Sequence, residues 1–175
     1  MIEGFTTVNP SVFTGEGDGV TVTAQAVAAV CTAAKLAPNG RARLILHHGA
    51  DDILHEMIIA LPPTSCDHPH INFRSGKSFM ALSGRFAVMR FTDEGDLLPP
   101  VILDAAGKNA AIMMRLRTPV WHTIIPLEGE VAFLETNSGP FTGNFFAEWF
   151  PAEDGEREVY TENLRRAARE ADTRS

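Results

Sequence analysis

The sequence predicts an all-β barrel or sandwich that is flanked by one helix near each end of the chain. Between residues 41 and 150, short runs of Ile, Leu, Val, Phe and Met are separated by turn clusters rich in Gly, Pro, Asp and Ser. Many short strands at regular spacing are typical of β-sandwiches and β-barrels, and no long helical period interrupts them. The runs lie at residues 42–47, 54–61, 78–82, 85–91, 100–103, 111–117, 120–125 and 130–136.

An Ala-rich stretch predicts the first helix over residues 23–35. Thr23 can cap its start, and the Pro-Asn-Gly sequence at 38–40 ends it. Its apolar side chains recur at helical spacing and are Val27, Val30, Cys31 and Ala34. We therefore expect this helix to pack on the barrel through its Val and Cys side.

The charged C-terminal segment predicts a second, amphipathic helix. Between residues 152 and 175, a thin apolar stripe is formed by Tyr160, Leu164, Ala167 and Ala171. The chain is thus divided into an N-terminal extension with one helix (1–40), a barrel (41–151) and a charged C-terminal helix or tail (152–175).

Composition narrows the class of protein. The 175 residues suit one domain, and a hydrophobic content of 45% is enough for a sizeable core. The net charge of -7 disfavours a phosphate backbone as partner, so no nucleic acid is expected. No apolar run approaches the ~18 residues that span a bilayer. The N-terminus also lacks a signal-peptide pattern, so we expect a cytoplasmic protein without a membrane partner.

Histidines carry the clearest chemical pattern. Five of the six lie between residues 47 and 70, and the sharpest pattern is His68-Pro69-His70. In a strand, residues i and i+2 point to the same face, so this pair would aim two imidazoles into one space. His122, mid-strand among apolar residues, is the third candidate for a facial metal triad. Such a pair also arises by chance, and a lone His in an apolar strand is more often a satisfied core residue.

The spacing after this pair is similar to the cupin motif, which reads HxH, three or four residues, Glu, six residues, Gly. Six residues separate His70 from Lys77 and six more separate Lys77 from Gly84, so Lys77 occupies the Glu position. The sequence Pro119-Val120-Trp121-His122 resembles the second cupin motif without its usual Gly and Asn.

A wider series of short sequences follows in a consistent order. The series comprises Arg41-Ala42-Arg43, Leu46-His47, His55-Glu56-Met57-Ile58-Ile59, Ser78-Phe79, Trp121-His122-Thr123, Leu134-Glu135-Thr136, Ser138-Gly139-Pro140-Phe141 and Glu148-Trp149-Phe150-Pro151. Over about residues 40–151 it resembles the WbuC family of cupin-fold metalloproteins. The resemblance implies an RmlC-like jelly-roll barrel with a central metal site. It also implies a link to bacterial surface polysaccharides, and hence a sugar derivative as substrate.

Lys77 is the main departure from the family pattern. The resemblance implies a divalent transition metal (Zn, Fe, Ni or Mn) held by His68, His70 and His122. Because an ammonium repels a divalent cation, three outcomes are open: Lys77 is deprotonated, Lys77 points away, or the metal is absent and Lys77 makes an anion-binding or ion-paired pocket. As a catalytic residue, Lys77 would donate a proton or hold a substrate carboxylate or phosphate.

Strand parity adds candidates for the substrate pocket. Arg43 and His47 share a face with Ile45. Either His55 or its neighbour Glu56 faces inward, and an error of one residue inverts the answer.

Glu135 is the remaining pocket candidate, since it shares a strand face with Val131 and Phe133. It either supplies a replacement carboxylate or forms a structural ion pair with Arg115 or Arg117.

Two functions compete for this sequence. The first is a metal-binding cupin that acts on a small sugar derivative, with isomerase or oxygenase chemistry. The alternative is a non-catalytic binding module for a small anion or sugar, which a pairing of Lys77 with Glu56 or Glu135 would favour. A small-molecule ligand and a homodimer are expected in both cases.

Overall fold

The computed structural model describes residues 1–73, 76–107 and 110–173. Within these residues, ten strands join one sheet, and two helices lie against it. The elements are β1 (Phe5–Asn9), β2 (Val12–Gly15), α1 (Ala24–Leu36), β3 (Ala42–Ile45), β4 (Leu54–Leu61), β5 (His70–Ile71), β6 (Lys77–Phe91), β7 (Leu97–Asp104), β8 (Met113–Arg115), β9 (Trp121–Ser138), β10 (Phe145–Phe146) and α2 (Asp154–Asp172).

Two long strands, β6 and β9, organise the sheet. The strand order is β1-β2-β3-β4-β9-β5-β10, and β6 pairs with β7, β8 and β9. The predicted runs 78–82 and 85–91 form the single strand β6, whose pairing with β9 shifts register around Gly84. Gly84 has a φ of +71°, and a Cβ there would lie 2.6 Å from the Glu130 carbonyl oxygen, so the bend requires glycine.

The predicted first helix is confirmed as α1. The Thr23 hydroxyl accepts a hydrogen bond from the Ala26 amide at 3.1 Å and so caps the helix. Its buried side chains Val30 and Ala34 belong to an apolar cluster with Leu44 and Ile58, on the outer face of β3 and β4. The apolar stripe of α1 therefore packs against the outside of the barrel wall that β3 and β4 form.

The predicted C-terminal helix is confirmed as α2. Leu164 and Ala168 are the buried centre of its apolar face, and Tyr160, Ala167 and Ala171 flank them. These side chains cover Ala87, Met89 and Ile125 on the outside of β6 and β9. No helix among the described residues is long and apolar enough to cross a membrane.

An N-terminal hairpin, β1 and β2, was not predicted. β2 runs parallel to β3, with Val12 opposite Arg43, and so extends the barrel wall. Only Phe5 and Phe13 of this hairpin are buried, and its other side chains are partly or fully exposed. With so few core positions, the hairpin lacks the alternation that marks a half-buried strand.

Side chains alternate between the barrel interior and its outside along β4. Ile58 and Ala60 face α1, whereas Met57, Ile59 and Leu61 face inward. The inward residues join Phe79, Phe133 and others in an apolar cluster. Burying one such large side chain stabilises the fold by ~1.5–3 kcal/mol. This apolar cluster occupies one part of the interior, and the candidate site begins where the same inward rows turn polar.

Candidate ligand-binding site

The inward-facing rows of β4, β6 and β9 each end in polar side chains. On β4 the row continues from Met57 to His55, on β6 from Phe79 to Lys77, and on β9 from Phe133 to Glu135 and Asn137. Strand pairing sets both His55 and Lys77 opposite Asn137. Directly opposed residues share one face of a sheet, so these polar groups converge.

A cavity of about 290 Å³ opens at this polar end. Its walls come from β2, β3, β4, β6 and β9 and from the loops at 47–50 and 141–144. The lining residues are Thr14, Arg41, Arg43, Ile45, His47, His48, Gly49, Ala50, His55, Met57, Lys77, Glu135, Asn137, Phe141 and Asn144. Among the described residues of this lining, the cations outnumber the single carboxylate, Glu135.

Lys77 lies at the base of the cavity with only 4% of its surface exposed. Its Nζ is 3.3 Å from Glu135 Oε1 and 3.4 Å from His70 Nε2. His70 Nδ1 is 3.2 Å from the His68 carbonyl, which can only accept, so Nδ1 carries the hydrogen. His70 Nε2 is then a lone-pair acceptor, and Lys77 donates to both the imidazole and the carboxylate.

The environment fixes the charges around Lys77. Burial, with His122 and Lys77 nearby, lowers the pKa of His70 to about 3, so His70 is neutral near pH 7. Burial alone would raise the pKa of Glu135, but Lys77 and Arg41 outweigh it and lower that pKa below its usual value. The Glu135 carboxylate is therefore ionised, and it forms a buried ion pair with Lys77.

His122 lies directly opposite His70 across β9 and β5, with 4.6 Å between the ring centroids. Its Nδ1 donates to the Val120 carbonyl at 2.9 Å. Its Nε2 is buried and has no hydrogen-bond partner among the described residues. Burial and then Lys77 lower the pKa of His122 to about 3, so this Nε2 carries a free lone pair.

His68 does not converge with the other two histidines. The prediction that His68 and His70 share one strand face is wrong, because β5 begins only at His70. His68 Nε2 donates to the Ala147 carbonyl at 2.8 Å, and its ring packs on Phe146 and Phe150. In the described parts of the chain, no group of three or more His, Cys, Asp or Glu side chains is arranged to hold a metal ion.

The structure separates the predicted pocket residues into two groups. Arg43, His47, His55 and Glu135 line the cavity, and the His47 and His55 rings stack at 4.0 Å. Glu56 is outside the lining, and its carboxylate accepts a hydrogen bond from Thr136 at 3.2 Å. The alternation along β4 thus places His55, and not Glu56, beside the cavity.

Glu135 pairs with one of the three cations that were considered from the sequence. Its carboxylate forms the ion pair with Lys77, rather than with Arg115 or Arg117. Arg115 instead donates to the Ser78 hydroxyl at 3.1 Å. Because Arg115 lies on β8, it reaches the side of β6 that Ser78 occupies.

Sequence reasoning missed two amides of the lining, Asn137 and Asn144. Asn137 is two residues beyond Glu135 on β9, so strand parity was a usable indication of its position. Asn144 lies in the loop before β10, where no periodicity predicts which way a side chain points.

Arg43 is the cation of the cavity for which the described residues provide no partner. Arg41 forms an ion pair with Asp67 at 2.9 Å, and Lys77 is paired with Glu135. The Arg43 guanidinium lines the cavity from β3 and makes no hydrogen bond or ion pair with any residue that the structure describes. Burial and then repulsion from Arg41 lower its pKa.

Comparison with known proteins identifies the fold. Residues 22–103 match a family model described as a domain of unknown function, DUF6016. No curated protein matches the chain significantly. A recombinant oxalate oxidase in complex with glycolate is similar in structure, with a TM-score of 0.50 and 16% identity over 74% of this chain and 67% of that one.

Two further solved structures are more distant. The Bacillus subtilis oxalate decarboxylase with Mn(II) centres has a TM-score of 0.46 and 10% identity, over 63% of this chain and 29% of that one. Peruvianin-I, a cysteine peptidase from Thevetia peruviana latex, has a TM-score of 0.44 and 14% identity, over 54% and 55%. At such identities the likeness concerns the fold alone. The likeness to the oxalate oxidase confirms the predicted cupin jelly-roll fold.

Proposed function

We propose that the chain is a cupin-fold binding protein for a small organic anion, which it holds in the cavity at the polar end of the barrel. The observation that carries this proposal is the Arg43 guanidinium, which lines the cavity and has no partner among the described residues. A guanidinium presents a rigid fork of donors that matches a carboxylate or phosphate. A bound anion would therefore supply the negative charge and the hydrogen-bond acceptors that the described residues do not give to Arg43.

A divalent metal does not fit the residues as they are arranged. The Lys77 ammonium is 3.4 Å from His70 Nε2 and 3.3 Å from Glu135 Oε1, the atoms to which a metal would bind. A second cation there would be repelled, and His68 is turned toward Ala147. In our proposal Lys77 is a positioning residue that neutralises Glu135 and fixes the His70 ring.

The test is calorimetric titration with a panel of formate, acetate, lactate, phosphate and sulfate. We expect saturable binding of at least one of these anions, and at least tenfold weaker binding by Arg43→Gln. Arg117→Gln is the matched control, since it removes the same charge at an exposed position outside the cavity. Absence of binding across the panel, or binding that Arg43→Gln leaves unchanged, would refute the proposal.

A metal-dependent enzyme is the second candidate, and one observation favours it. The buried His122 Nε2 lone pair beside His70 is the kind of group that a metal would complete. This candidate requires Lys77 to leave its present partners. Metal analysis of untagged protein after incubation with Zn, Fe, Ni or Mn decides between the two. A near-stoichiometric metal that is lost in His122→Gln would favour the enzyme, with a sugar derivative as substrate and isomerase or oxygenase chemistry.

The finer expectations from the sequence stay proposals. Membership of the WbuC family and a link to surface polysaccharides are supported by the series of short sequences over residues 40–151. Homodimer formation is supported by the cupin fold, and light scattering should then return about twice the 19.0 kDa of one chain.

A further inference from the structure

We infer that the anion is a small hydroxylated monocarboxylate, which Arg43 binds through its carboxylate and which two buried amide oxygens bind through hydroxyl groups. This inference rests on the proposed function and deepens it. It depends on the balance of charges around the cavity and on two acceptors that the described residues leave without donors.

The charge of the ligand follows from the ion pairs. Arg41 is paired with Asp67 and Lys77 with Glu135, so each of these pairs is neutral. Among the described Arg, Lys, Asp and Glu side chains of the lining, this leaves Arg43 with one uncompensated positive charge. A monoanion balances this charge, whereas a dianion would bring a second charge into a partly enclosed site.

The orientation of Asn137 is fixed by its neighbour. Its Nδ2 donates to Glu135 Oε1 at 3.4 Å, and a carboxylate can only accept, so Oδ1 is the atom on the other side of the amide. Asn137 is only 4% exposed and lines the cavity. Its Oδ1 is buried without a partner among the described residues. A buried acceptor without a donor destabilises the fold, so a ligand that brings a donor gains binding energy.

Asn144 supplies a second acceptor of the same kind. Its Oδ1 is also buried and has no partner among the residues described, and its side chain lines the same cavity from the loop before β10. Hydroxyl groups donate to amide oxygens, which carboxylate and deprotonated phosphate oxygens cannot do. Ile45, Met57 and Phe141 give the remaining wall an apolar surface that suits a carbon skeleton.

The experiment compares propionate, lactate and glycerate, which share three carbons and one carboxylate and carry no, one and two hydroxyls. Both enantiomers of the last two are used. Dissociation constants come from chemical-shift titrations of isotope-labelled protein, followed at the Arg43 Nε–H and at the two side-chain amides. We expect affinity to rise about tenfold with each hydroxyl, because each satisfies one buried acceptor.

Leucine substitutions separate the two acceptors. Asn144→Leu should remove one tenfold step, and backbone amide signals that match those of the original protein away from the cavity show that the variant is folded. Asn137→Leu should remove the other step. The matched control is Asn163→Leu, at an exposed position on α2, and it should keep the full series.

The outcomes distinguish this inference from the proposed function. Equal affinity for the three acids, with binding that still needs Arg43, would overturn the hydroxylated ligand and leave the anion site standing. A glycerate affinity that neither Asn substitution changes would also overturn it. If none of these acids binds, and none of the panel of inorganic and organic anions binds either, both the inference and the proposed function fail.

Discussion

The two ends of the barrel interior are built on the same strands but differ in how completely their side chains are satisfied. At the apolar end, Ile59, Phe79 and Phe133 pack on one another and need nothing from outside the protein. At the polar end, Lys77 and Glu135 neutralise each other, but Arg43 and two amide oxygens have no partners in the described chain. The apolar end therefore stabilises the fold, whereas the polar end leaves a guanidinium and two amide oxygens available to a ligand.

The largest expected effect lies at the apolar end. Phe133→Ala should lower the free energy of unfolding by ~3–5 kcal/mol, because it removes a large buried ring and leaves a cavity. Urea denaturation measures the change. Phe145→Ala is the control, since that ring is 57% exposed and its loss should cost under about 1 kcal/mol. Similar losses from the two substitutions would contradict the assignment of the core.

Removing Lys77 from the buried ion pair should strongly destabilise the protein, but only while Glu135 keeps its charge. Lys77→Met leaves the Glu135 carboxylate buried and unpaired, so the free energy of unfolding should fall by ~3–5 kcal/mol. The double variant Lys77→Met, Glu135→Leu should recover most of that loss, since neither charge is then buried. A double-mutant cycle by urea denaturation tests this coupling. Additive losses would show that the two charges do not interact.

Acid should weaken the polar end through His70 and His122. Both have a pKa of about 3 in the folded protein, lowered first by burial, against ~6.5 in the unfolded chain. The unfolded chain therefore binds more protons between these values, so the free energy of unfolding falls as the pH drops from about 6.5 toward 3.

The slope attributable to each histidine should be about 1.4 kcal/mol per pH unit within this window. His122→Gln should flatten the dependence measured by urea denaturation between pH 6 and 4. His48→Gln, at an exposed position, should keep the slope of the original protein. An unchanged slope in His122→Gln would mean that this imidazole stays accessible to protons in the folded state.

The smallest expected effect is the change in stability of the ligand-free protein when Arg43 is replaced. Because burial and Arg41 disfavour the Arg43 charge, Arg43→Gln should raise the free energy of unfolding of the ligand-free protein by a few tenths of a kcal/mol. Thermal unfolding without added anions measures this gain. A loss of more than about 1 kcal/mol would indicate that Arg43 has a structural partner and is not held ready for a ligand.

The sequence was informative where periodicity and spacing determine the structure. The two helices, most strands and the shared face of Arg43, Ile45 and His47 follow from apolar periods and strand parity. The cupin spacing assigned Lys77 to the Glu position of the motif, but it left open whether the side chain points toward His70 or away. Each of these features depends on residues that are close together in the chain, or on the spacing of the cupin motif.

The parts that sequence reasoning missed depend on contacts between distant segments. His68 donates a hydrogen bond to the carbonyl of Ala147, which is 79 residues away, and no local sequence pattern predicts that contact. Likewise, Glu135 had three cations within plausible reach, and only the strand pairing selects Lys77. Asn144 lies in an irregular loop, where side-chain direction is set by tertiary contacts.

The most direct test of the anion site is a crystal structure grown with iodide, whose anomalous scattering locates bound anions. Our account predicts an iodide within about 4 Å of the Arg43 guanidinium, with Lys77 still between Glu135 and His70. It would be contradicted by a transition metal bound to His70 and His122, with Lys77 displaced and no anion beside Arg43.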